Sequence, residues 1–345
     1  MQVAIIADDL TGAADTGVQL VRAGYRTAVY FRPTEVLADD LDAAVFDTDS
    51  RTMPAGFAAK RVIEAARTAR GARIIYKKLD STLRGNVAAE LAAVFGAVHR
   101  DCAVVAPAFP AAGRTTVGGT QLVHGVPVDE TEMGDDPSTP VRESHVPTLL
   151  ADAFPSAGAL GVDDLADPER FRRTLEDNEC VVADAERDED LEALVRAVPD
   201  PATVLWAGSA GLALALGSVY PGPHAGEAIS RSAPSREVLV VIGSLSGVAR
   251  EQLRRLVEEY GEVAVPVSSG GSGAVGGAVA AAREALASGG CAVVHSPEQR
   301  SASGAPVLKQ LAEVAARLSE EALFDGLVLT GGSTAVKVSR RLGAS

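Results

Sequence analysis

The sequence predicts an α/β protein of two domains, each built on a mainly parallel sheet with helices on both faces. Short apolar runs alternate with stretches of helical periodicity, which is typical of parallel strands joined by helices. The chain has 345 residues, which suits two hydrophobic cores better than one. Residues 217–236 interrupt the alternation with several Gly and Pro residues. We therefore expect an N-terminal domain at 1–220, a linker at 221–236 and a C-terminal domain at 237–345.

The individual elements follow from the same patterns. In the N-terminal domain, apolar runs predict strands at 3–7, 27–31, 43–47, 73–76, 102–106, 180–183 and 203–206. Helical periodicity predicts helices at 12–23, 55–70, 87–98, 168–176, 188–197 and 210–216. In the C-terminal domain, we expect strands at 238–242, 262–266, 292–295 and 326–330, with helices at 248–260, 276–288, 306–321 and 333–342.

Two segments do not follow the alternation. Residues 109–145 are rich in Gly, Pro, Thr and Asp and have little periodicity, so we predict a long functional loop. Residues 268–277 are rich in Gly and Ser and are predicted as a flexible loop.

Composition excludes several classes of protein. The net charge of −14 argues against nucleic-acid binding, which needs a basic surface. No apolar run reaches the roughly 18 residues of a membrane span, and the N-terminus does not resemble a signal peptide, so a cytoplasmic protein is expected. The three Cys and five His have no metal-ligand spacing, so no metal site is predicted.

The first candidate site residues are Asp8 and Asp9, which directly follow the first predicted strand. Ligands bind beyond the carboxyl ends of the strands in open parallel sheets. Carboxylates at that position accept hydrogen bonds from vicinal hydroxyls, and one of them could act as a general base. A pair of loop acids that caps the following helix is the alternative.

Two further polar segments also follow predicted strands. Arg51 ends the sequence DTDSR, and its planar guanidinium suits a carboxylate or a phosphate. The segment 77–86 (KKLDSTLRGN) combines basic groups, hydroxyls and Gly at the start of a helix, which indicates an anion site. Its candidate residues are Lys77, Lys78, Asp80, Ser81, Thr82 and Arg84.

The C-terminal domain has two Gly-rich turns between a strand and a helix. One contains Ser244 and Ser246, and the other runs through Gly331, Gly332, Ser333 and Thr334. Backbone N–H groups in such turns cradle phosphates, so the pair predicts a nucleotide site. The Walker sequence GxxxxGK[ST] is absent.

Taken together, the motifs resemble those of the four-carbon acid sugar kinases, which include 3-oxo-tetronate, D-threonate and D-erythronate kinases. The matching segments are DDLTGAAD (8–15), DTDSR (47–51), KKLDSTLRGN (77–86), APAFPAAGRTT (106–116), GVPVDETEMGDDPSTPVRES (125–144), GSLSGVAREQL (243–253) and LTGGSTA (329–335). They occur in the family's order and cover nearly the whole chain.

The resemblance implies a sugar-acid-binding N-terminal domain, a nucleotide-binding C-terminal domain and an active site in the cleft between them. It implies ATP-dependent phosphorylation of the terminal hydroxyl of a four-carbon acid, with Mg²⁺ brought by ATP. Asp8, Asp9, Asp80 and Arg84 are expected in catalysis, with Arg51, Lys77, Lys78, Ser81, Thr82, Gly113 and Arg114 binding the acid. Ser244, Ser246 and Gly331–Thr334 are expected to bind ATP, and the partners are these small molecules, with a homodimer allowed.

Two departures from the family pattern bear on the nucleotide site. Ser333 stands where similar proteins often have an acid, and a Gly-rich segment that follows in them is absent, so a truncated nucleotide domain is expected. A sugar-acid or nucleotide sensor without catalysis is therefore one alternative. A nucleotide-dependent dehydrogenase is another, although GxGxxG is missing after the first strand.

Overall fold

The chain folds into two compact units, Met1–Ile229 and Ser230–Ser345. The computed structural model describes residues 1–32, 37–227, 234–260, 264–267, 271–297 and 305–344. Residues 228–233 of the predicted linker, and 268–270 of the predicted Gly-rich loop, lie outside these ranges. Residues 221–227, predicted as part of the linker, belong to the first unit, where Gly222 donates its N–H to Ala23 O and His224 donates its N–H to Gly24 O.

The first unit contains a large parallel sheet and a small antiparallel one. In chain order, its strands are β1 (Val3–Ala7), β2 (Thr27–Tyr30), β3 (Ala43–Asp47), β4 (Ile74–Lys78), β5 (Cys102–Ala106), β6 (Arg114–Val117), β7 (Thr120–Val123), β8 (Val126–Pro127), β9 (Ala157–Leu160), β10 (Cys180–Ala183) and β11 (Val204–Gly208). In the described residues, the large sheet has the order β2-β3-β1-β4-β11-β5-β10-β9, and all its pairs are parallel. This confirms the predicted α/β class.

Helices cover both faces of the large sheet. They are α1 (Leu10–Arg22), α2 (Ala55–Ala69), α3 (Val87–Val98), α4 (Val146–Leu150), α5 (Pro168–Asp177), α6 (Asp188–Ala197) and α7 (Ala210–Val219). Helices α1, α5, α6 and α7 pack on one face, and α2, α3 and α4 pack on the other. The central strands are buried on both sides, which explains their nearly continuous apolar sequences.

The segment 109–145 is more regular than predicted. Strands β6, β7 and β8 form a three-stranded antiparallel sheet within it. Gly118 and Gly119 join β6 to β7 with φ values of +56° and +75°, as a two-residue hairpin turn requires. The prediction of an irregular loop was therefore wrong here, because Thr and Val on either side of a Gly-Gly turn favour a hairpin.

The second unit has a parallel sheet of its own. Its strands are β12 (Val238–Ile242), β13 (Ala264–Pro266), β14 (Cys291–His295) and β15 (Gly326–Thr330), in the order β13-β14-β12-β15. Its helices are α8 (Gly247–Tyr260), α9 (Gly271–Gly289), α10 (Ala305–Glu320) and α11 (Gly332–Arg341). Helix α8 packs on one face of the sheet, and α9, α10 and α11 pack on the other.

Two predicted boundaries need correction. Helix α9 begins at Gly271, so most of the predicted flexible loop at 268–277 is helical where it is described. Strand β4 extends to Lys78 and therefore includes both lysines that were predicted to follow it. Over the residues that the structure describes, no helix is long and apolar enough to cross a bilayer.

Candidate active site

The candidate site lies at the carboxyl edge of the large sheet. Strands β3, β1 and β4 are parallel neighbours, so their ends meet at this edge. Asp8 and Asp9 follow β1, the segment 48–51 follows β3, and the segment 79–86 follows β4. Three segments that are far apart in sequence are thus brought together, as expected for ligand sites of parallel sheets.

Arg51 forms the centre of this edge. It makes a bidentate pair with Asp8, at 2.8 Å from Nε to Oδ2 and 2.9 Å from Nη2 to Oδ1. The same Nη2 donates to Asp9 Oδ1 at 2.7 Å and lies 3.9 Å from Asp80 Oδ1. Its side chain is only 14% exposed, so these charges interact with little solvent screening. Arg51 therefore holds three carboxylates in one cluster, although substrate binding was the predicted role.

Backbone and hydroxyl contacts fix the position of Arg51. The N–H groups of Ser50 and Arg51 donate to Asp8 O at 2.9 and 3.1 Å. The Thr48 hydroxyl donates to Ala7 O at 2.8 Å, and Asn86 Nδ2 donates to Met53 O at 2.9 Å. The turn after β3 is thereby tied to the end of β1 and to the start of α3.

Asp8 and Asp9 differ in electrostatic environment. Burial alone would raise the pKa of Asp8, but Arg51, with its hydrogen bonds, and the charges of Lys77 and Lys78 outweigh burial and hold this pKa below its ordinary value. Burial also raises the pKa of Asp9, and here the opposing charge of Arg51 does not offset burial and the charge of Asp8. Asp9 is therefore the more basic carboxylate of the two.

Asp9 has a second role as the cap of α1. Its Oδ1 accepts the N–H of Gly12 at 2.9 Å, which satisfies a free donor at the helix start. Among the described residues, the hydrogen bonds to the Asp9 side chain all reach Oδ1. Its side chain is 23% exposed, against 5% for Asp8, so Asp9 is also the more accessible carboxylate.

Asp80, Thr82 and Arg84 form a compact group after β4. Arg84 donates to Asp80 through Nε at 2.7 Å and through Nη2 at 3.3 Å. The Thr82 hydroxyl donates to Asp80 Oδ2 at 2.5 Å. Burial would raise the pKa of Asp80, but Arg51, Arg84 and Thr82 hold it well below its usual range. Asp80 is therefore a fixed anion, and Arg84, with 30% of its side chain exposed, is the most accessible basic group here.

The two lysines of β4 point to opposite faces of the sheet, as successive strand residues do. Lys78 lies at the start of α1, where a Cβ at Gly12 would be 3.1 Å from its Nζ. Its Nζ donates to Leu79 O at 2.8 Å. Burial lowers the pKa of Lys78, although three neighbouring carboxylates oppose this shift.

Lys77 lies on the other face of the sheet and is engaged in an ion pair. Its Nζ is 3.0 Å from Glu90 Oε2 on α3, and both side chains are almost fully buried. Glu90 Oε1 accepts the Ser50 hydroxyl at 2.8 Å, so this pair supports the turn that carries Arg51. Lys77 was expected to follow β4 and bind the acid, but the structure places it within this buried strand with Glu90 as its ion-pair partner, so its role in binding stays a prediction.

The small antiparallel sheet adjoins the segment after β4. Gln121 Nε2 on β7 donates to Ser81 O at 2.8 Å. Gly113 adopts a φ of +72°, and a Cβ there would lie 2.3 Å from the His124 ring. Arg114 Nη1 donates to Ala112 O, within its own turn. Among the described residues, no hydrogen bond or ion pair joins Gly113 or Arg114 to the carboxylate cluster, so their predicted roles in substrate binding stay predictions.

In the second unit, the two Gly-rich turns lie side by side. Strands β12 and β15 are parallel neighbours, and Gly243 donates its N–H to Thr330 O at 3.1 Å. A Cβ at Gly243 would lie 1.9 Å from Thr334 Oγ1, and Gly331 adopts a φ of +101°. Glycine is therefore needed at both positions, which allows close backbone approach at this edge.

The predicted hydroxyl groups of this edge differ in exposure. Ser246 and Ser333 are exposed, Ser244 is half-buried, and Thr334 is buried. Ser246 Oγ accepts the N–H of Ala249 and so caps α8, while Ser244 Oγ accepts the N–H of Ser246 at 3.3 Å. With Gly332 at the start of α11, two helix N-termini and three serines lie at one sheet edge, an arrangement suited to phosphate groups.

Comparisons with known proteins identify the class and the family. A family model described as "Sugar-binding N-terminal domain" matches residues 3–216, and one described as "Nucleotide-binding C-terminal domain" matches residues 239–345. The D-threonate kinase of Salmonella typhimurium is 33% identical over 100% of this chain and 87% of that protein. The D-threonate kinase of Bordetella bronchiseptica is 37% identical over 99% and 85%, and the 3-oxo-tetronate kinase of Methylobacterium radiotolerans is 31% identical over 98% and 87%.

Solved structures share the fold. A Bordetella bronchiseptica protein with bound citrate, a domain-swapped dimer, is 35% identical over 100% of this chain and 87% of that one, with a TM-score of 0.59. A Salmonella typhimurium LT2 protein shares the fold with a TM-score of 0.82 at 24% identity, over 99% and 88%. The fold and the relatives define a phosphotransferase with an alcohol group as acceptor. The chain belongs to the four-carbon acid sugar kinase family.

Three residues of the site were not foreseen from the sequence. Glu90 is the only acid in an otherwise apolar helix, and this isolated charge was the available signal. Gln121 lies on a hairpin that was not predicted. Asp136 Oδ2 lies 3.8 Å from Arg84 Nη1, and its only signal was its place within the motif at 125–144.

Proposed function

We propose that this kinase transfers the γ-phosphoryl group of ATP to the terminal hydroxyl of a four-carbon sugar acid. The observation that carries the proposal is the cluster of Asp8, Asp9, Arg51, Asp80 and Arg84 at the carboxyl edge of the sugar-binding unit. It combines an accessible guanidinium for the acid with carboxylates for the hydroxyls. Relatives named as D-threonate, D-erythronate and 3-oxo-tetronate kinases support this class of substrate.

Arg84 binds the carboxylate of the acid in this proposal. It is the more exposed of the two arginines in the cluster, at 30% against 14% for Arg51. The Nε and Nη2 atoms of Arg84 donate to Asp80. The third nitrogen, Nη1, makes no hydrogen bond to Asp80. The bound citrate in the Bordetella bronchiseptica relative supports an anion site in proteins of this kind.

Asp9 is the general base that we propose. Its raised pKa makes it the better proton acceptor, and its exposure exceeds that of Asp8. The terminal hydroxyl oxygen bonds to the γ-phosphorus while the bond from this phosphorus to the β,γ-bridging oxygen breaks. The hydroxyl proton passes to the Asp9 carboxylate, and ADP leaves with the bridging oxygen.

The phosphoryl donor is MgATP, which we place at the Gly243–Gly247 and Gly331–Thr334 turns of the second unit. Helix N-termini and backbone N–H groups suit its phosphates. The Mg²⁺ ion enters with ATP, because Arg51 and Arg84 already pair with the carboxylates of the first unit. Across the part of the chain that the structure describes, no group of three or more His, Cys, Asp and Glu is arranged for a metal ion.

The test is phosphorylation of a panel of D-threonate, D-erythronate and 3-oxo-tetronates with ATP, followed by ADP release. We expect turnover of at least one acid by the wild-type protein. Arg84→Ala should lower kcat/KM by about 100-fold, because it removes a charge-assisted contact and leaves Asp80 without its partner. Arg172→Ala, which removes an exposed Arg on α5, is the matched control and should retain activity. Equal activity of both variants would contradict the assignment of Arg84.

A homodimer is also proposed. The domain-swapped dimer of the Bordetella bronchiseptica relative supports it. Light scattering during gel filtration should give twice the chain mass of 35.4 kDa. A mass of one chain at micromolar concentration would reject the dimer.

A further inference from the structure

Asp136 stands directly opposite the proposed carboxylate-binding arginine. Its Oδ2 is 3.8 Å from Arg84 Nη1, the nitrogen that Asp80 does not engage. This distance allows charge attraction but is too long for a direct hydrogen bond. The part of Arg84 that we assign to the sugar acid thus already faces a carboxylate of the protein.

The two oxygens of Asp136 have separate tasks. Oδ1 accepts the backbone N–H groups of Ser138 and Thr139 at 2.9 and 2.8 Å, so it shapes the local turn. Oδ2 faces Arg84. The turn therefore anchors Oδ1 without any contribution from Arg84, and its hydrogen bonds do not fix Oδ2.

Arg84 also has its geometry without Asp136. Asp80 accepts from its Nε at 2.7 Å, from its Nη2 at 3.3 Å and from its backbone N–H at 3.4 Å. A further anion beyond hydrogen-bond distance adds charge near Nη1 but does not orient the guanidinium. An incoming carboxylate must compete with that charge.

We propose that Asp136 occupies the place of the substrate carboxylate at Arg84 and so sets the affinity and the charge selectivity of the acid site. This inference rests on the proposed function of Arg84. When the acid binds, its carboxylate takes Nη1 at hydrogen-bond distance, and Asp136 Oδ2 turns to solvent. The charge of Asp136 lowers the affinity of the site for anions, and an anion whose carboxylate reaches Nη1 at hydrogen-bond distance recovers most of this loss.

Asp136→Asn tests this with little structural change. The Asn side-chain oxygen retains the acceptor for Ser138 and Thr139, while the negative charge near Arg84 disappears. We expect the Kd of the acid, measured by calorimetry with D-threonate and D-erythronate, to fall about two- to fivefold, as for a partly exposed ion pair. The KM should fall in parallel, and kcat should change by less than about twofold.

Asp135→Asn is the matched control. Asp135 is the exposed neighbour, and the variant makes the same change in net charge, yet among the described residues its carboxylate forms no hydrogen bond or ion pair. Tighter binding in Asp136→Asn alone supports the proposal. Equal effects in the two variants, weaker binding in Asp136→Asn, or no binding of either acid to any of the three proteins would overturn it. Binding is measured without ATP, so a failure of phosphorylation alone counts against the proposed function and leaves this inference standing.

Discussion

Arg51 organises the candidate site although its own side chain is mostly buried. Three carboxylates in close proximity would repel one another, and burial would raise their pKa values. The guanidinium of Arg51 offsets both effects for Asp8 and Asp80, whose pKa values lie below the ordinary value, but not for Asp9. The site therefore contains two fixed anions and one carboxylate that exchanges a proton more readily.

A prediction at the residue scale concerns Asp9. Asp9→Asn should lower kcat by about 100- to 10,000-fold, because the general base is lost, while KM should change only a few-fold. The helix should remain intact because Asn caps helices as well as Asp. Asp15→Asn on the same helix, which changes an exposed acid, is the control and should retain wild-type kcat.

The pH dependence of the wild-type protein follows from the same residue. The base works only when it is ionised, so kcat should fall as the pH decreases through the raised pKa of Asp9. The acid limb of the kcat profile should disappear in Asp9→Asn. An unchanged acid limb in this variant would assign the base to another group.

At the scale of elements, the sequence predicted where the site segments lie along the chain better than where their side chains lie in the structure. Polar segments after strands were recognisable because Asp8 and Asp9, and the segment that ends at Arg51, come after apolar runs. The two lysines of β4 were harder to interpret, because a strand end and a loop start have the same local sequence. The partner of Lys77 lies on another element, and only tertiary packing shows that Glu90 meets it.

The small antiparallel sheet has a local sequence pattern from which part of it could be predicted. Its Gly118-Gly119 turn lies between RTTV and TQLV, which is a recognisable hairpin pattern. The large number of Gly, Pro and Asp residues around it concealed this pattern. The attachment of the tip, through the N–H groups of both glycines to Asp184 at 2.7 and 2.8 Å, depends on a residue far along the chain and could not be predicted.

A prediction at the element scale concerns the link between β4 and α3. Glu90→Gln leaves the buried Lys77 charge without its partner and should lower the free energy of unfolding by about 3–5 kcal/mol. Urea denaturation measures this change. Glu64→Gln on α2, an exposed position, should change it by less than about 0.5 kcal/mol. A loss below about 1 kcal/mol in Glu90→Gln would show that the pair contributes little.

At the scale of the whole molecule, the chain combines two units that match different family models, one described as sugar-binding and one as nucleotide-binding. Each unit has its own parallel sheet and hydrophobic core. The restart of the alternating pattern after the Gly- and Pro-rich segment predicted a second domain, and the resemblance to the family predicted the ligand of each domain. Side-chain placement within each edge was not apparent, since it depends on which strands are neighbours.

The organisation in two units predicts that a substitution in the second unit weakens ATP binding without changing the binding of the sugar acid. Gly243→Ala places a methyl group 1.9 Å from the present position of Thr334 Oγ1 and should weaken ATP binding at least about tenfold, because the Gly-rich turns must move apart. Binding of the sugar acid should remain at the wild-type level. Calorimetry with each ligand alone measures both, and Gly276→Ala on α9, where the added methyl group meets open space, is the control. Wild-type ATP affinity in Gly243→Ala would argue against a nucleotide site at these turns.

The position of β11 has a consequence for the order in which the protein is made. This strand lies between β4 and β5 in the sheet, and Gly208 accepts the N–H of Leu79 just before Asp80. Tyr76 and Ser209, joined by a hydrogen bond, are 133 residues apart. A nascent chain that has not yet released residues 204–208 from the ribosome therefore leaves two strand edges open in the middle of its sheet. The candidate cluster from Asp8 to Arg84 is made within the first quarter of synthesis, but the strand that completes the sheet beside β4 follows only at residues 204–208.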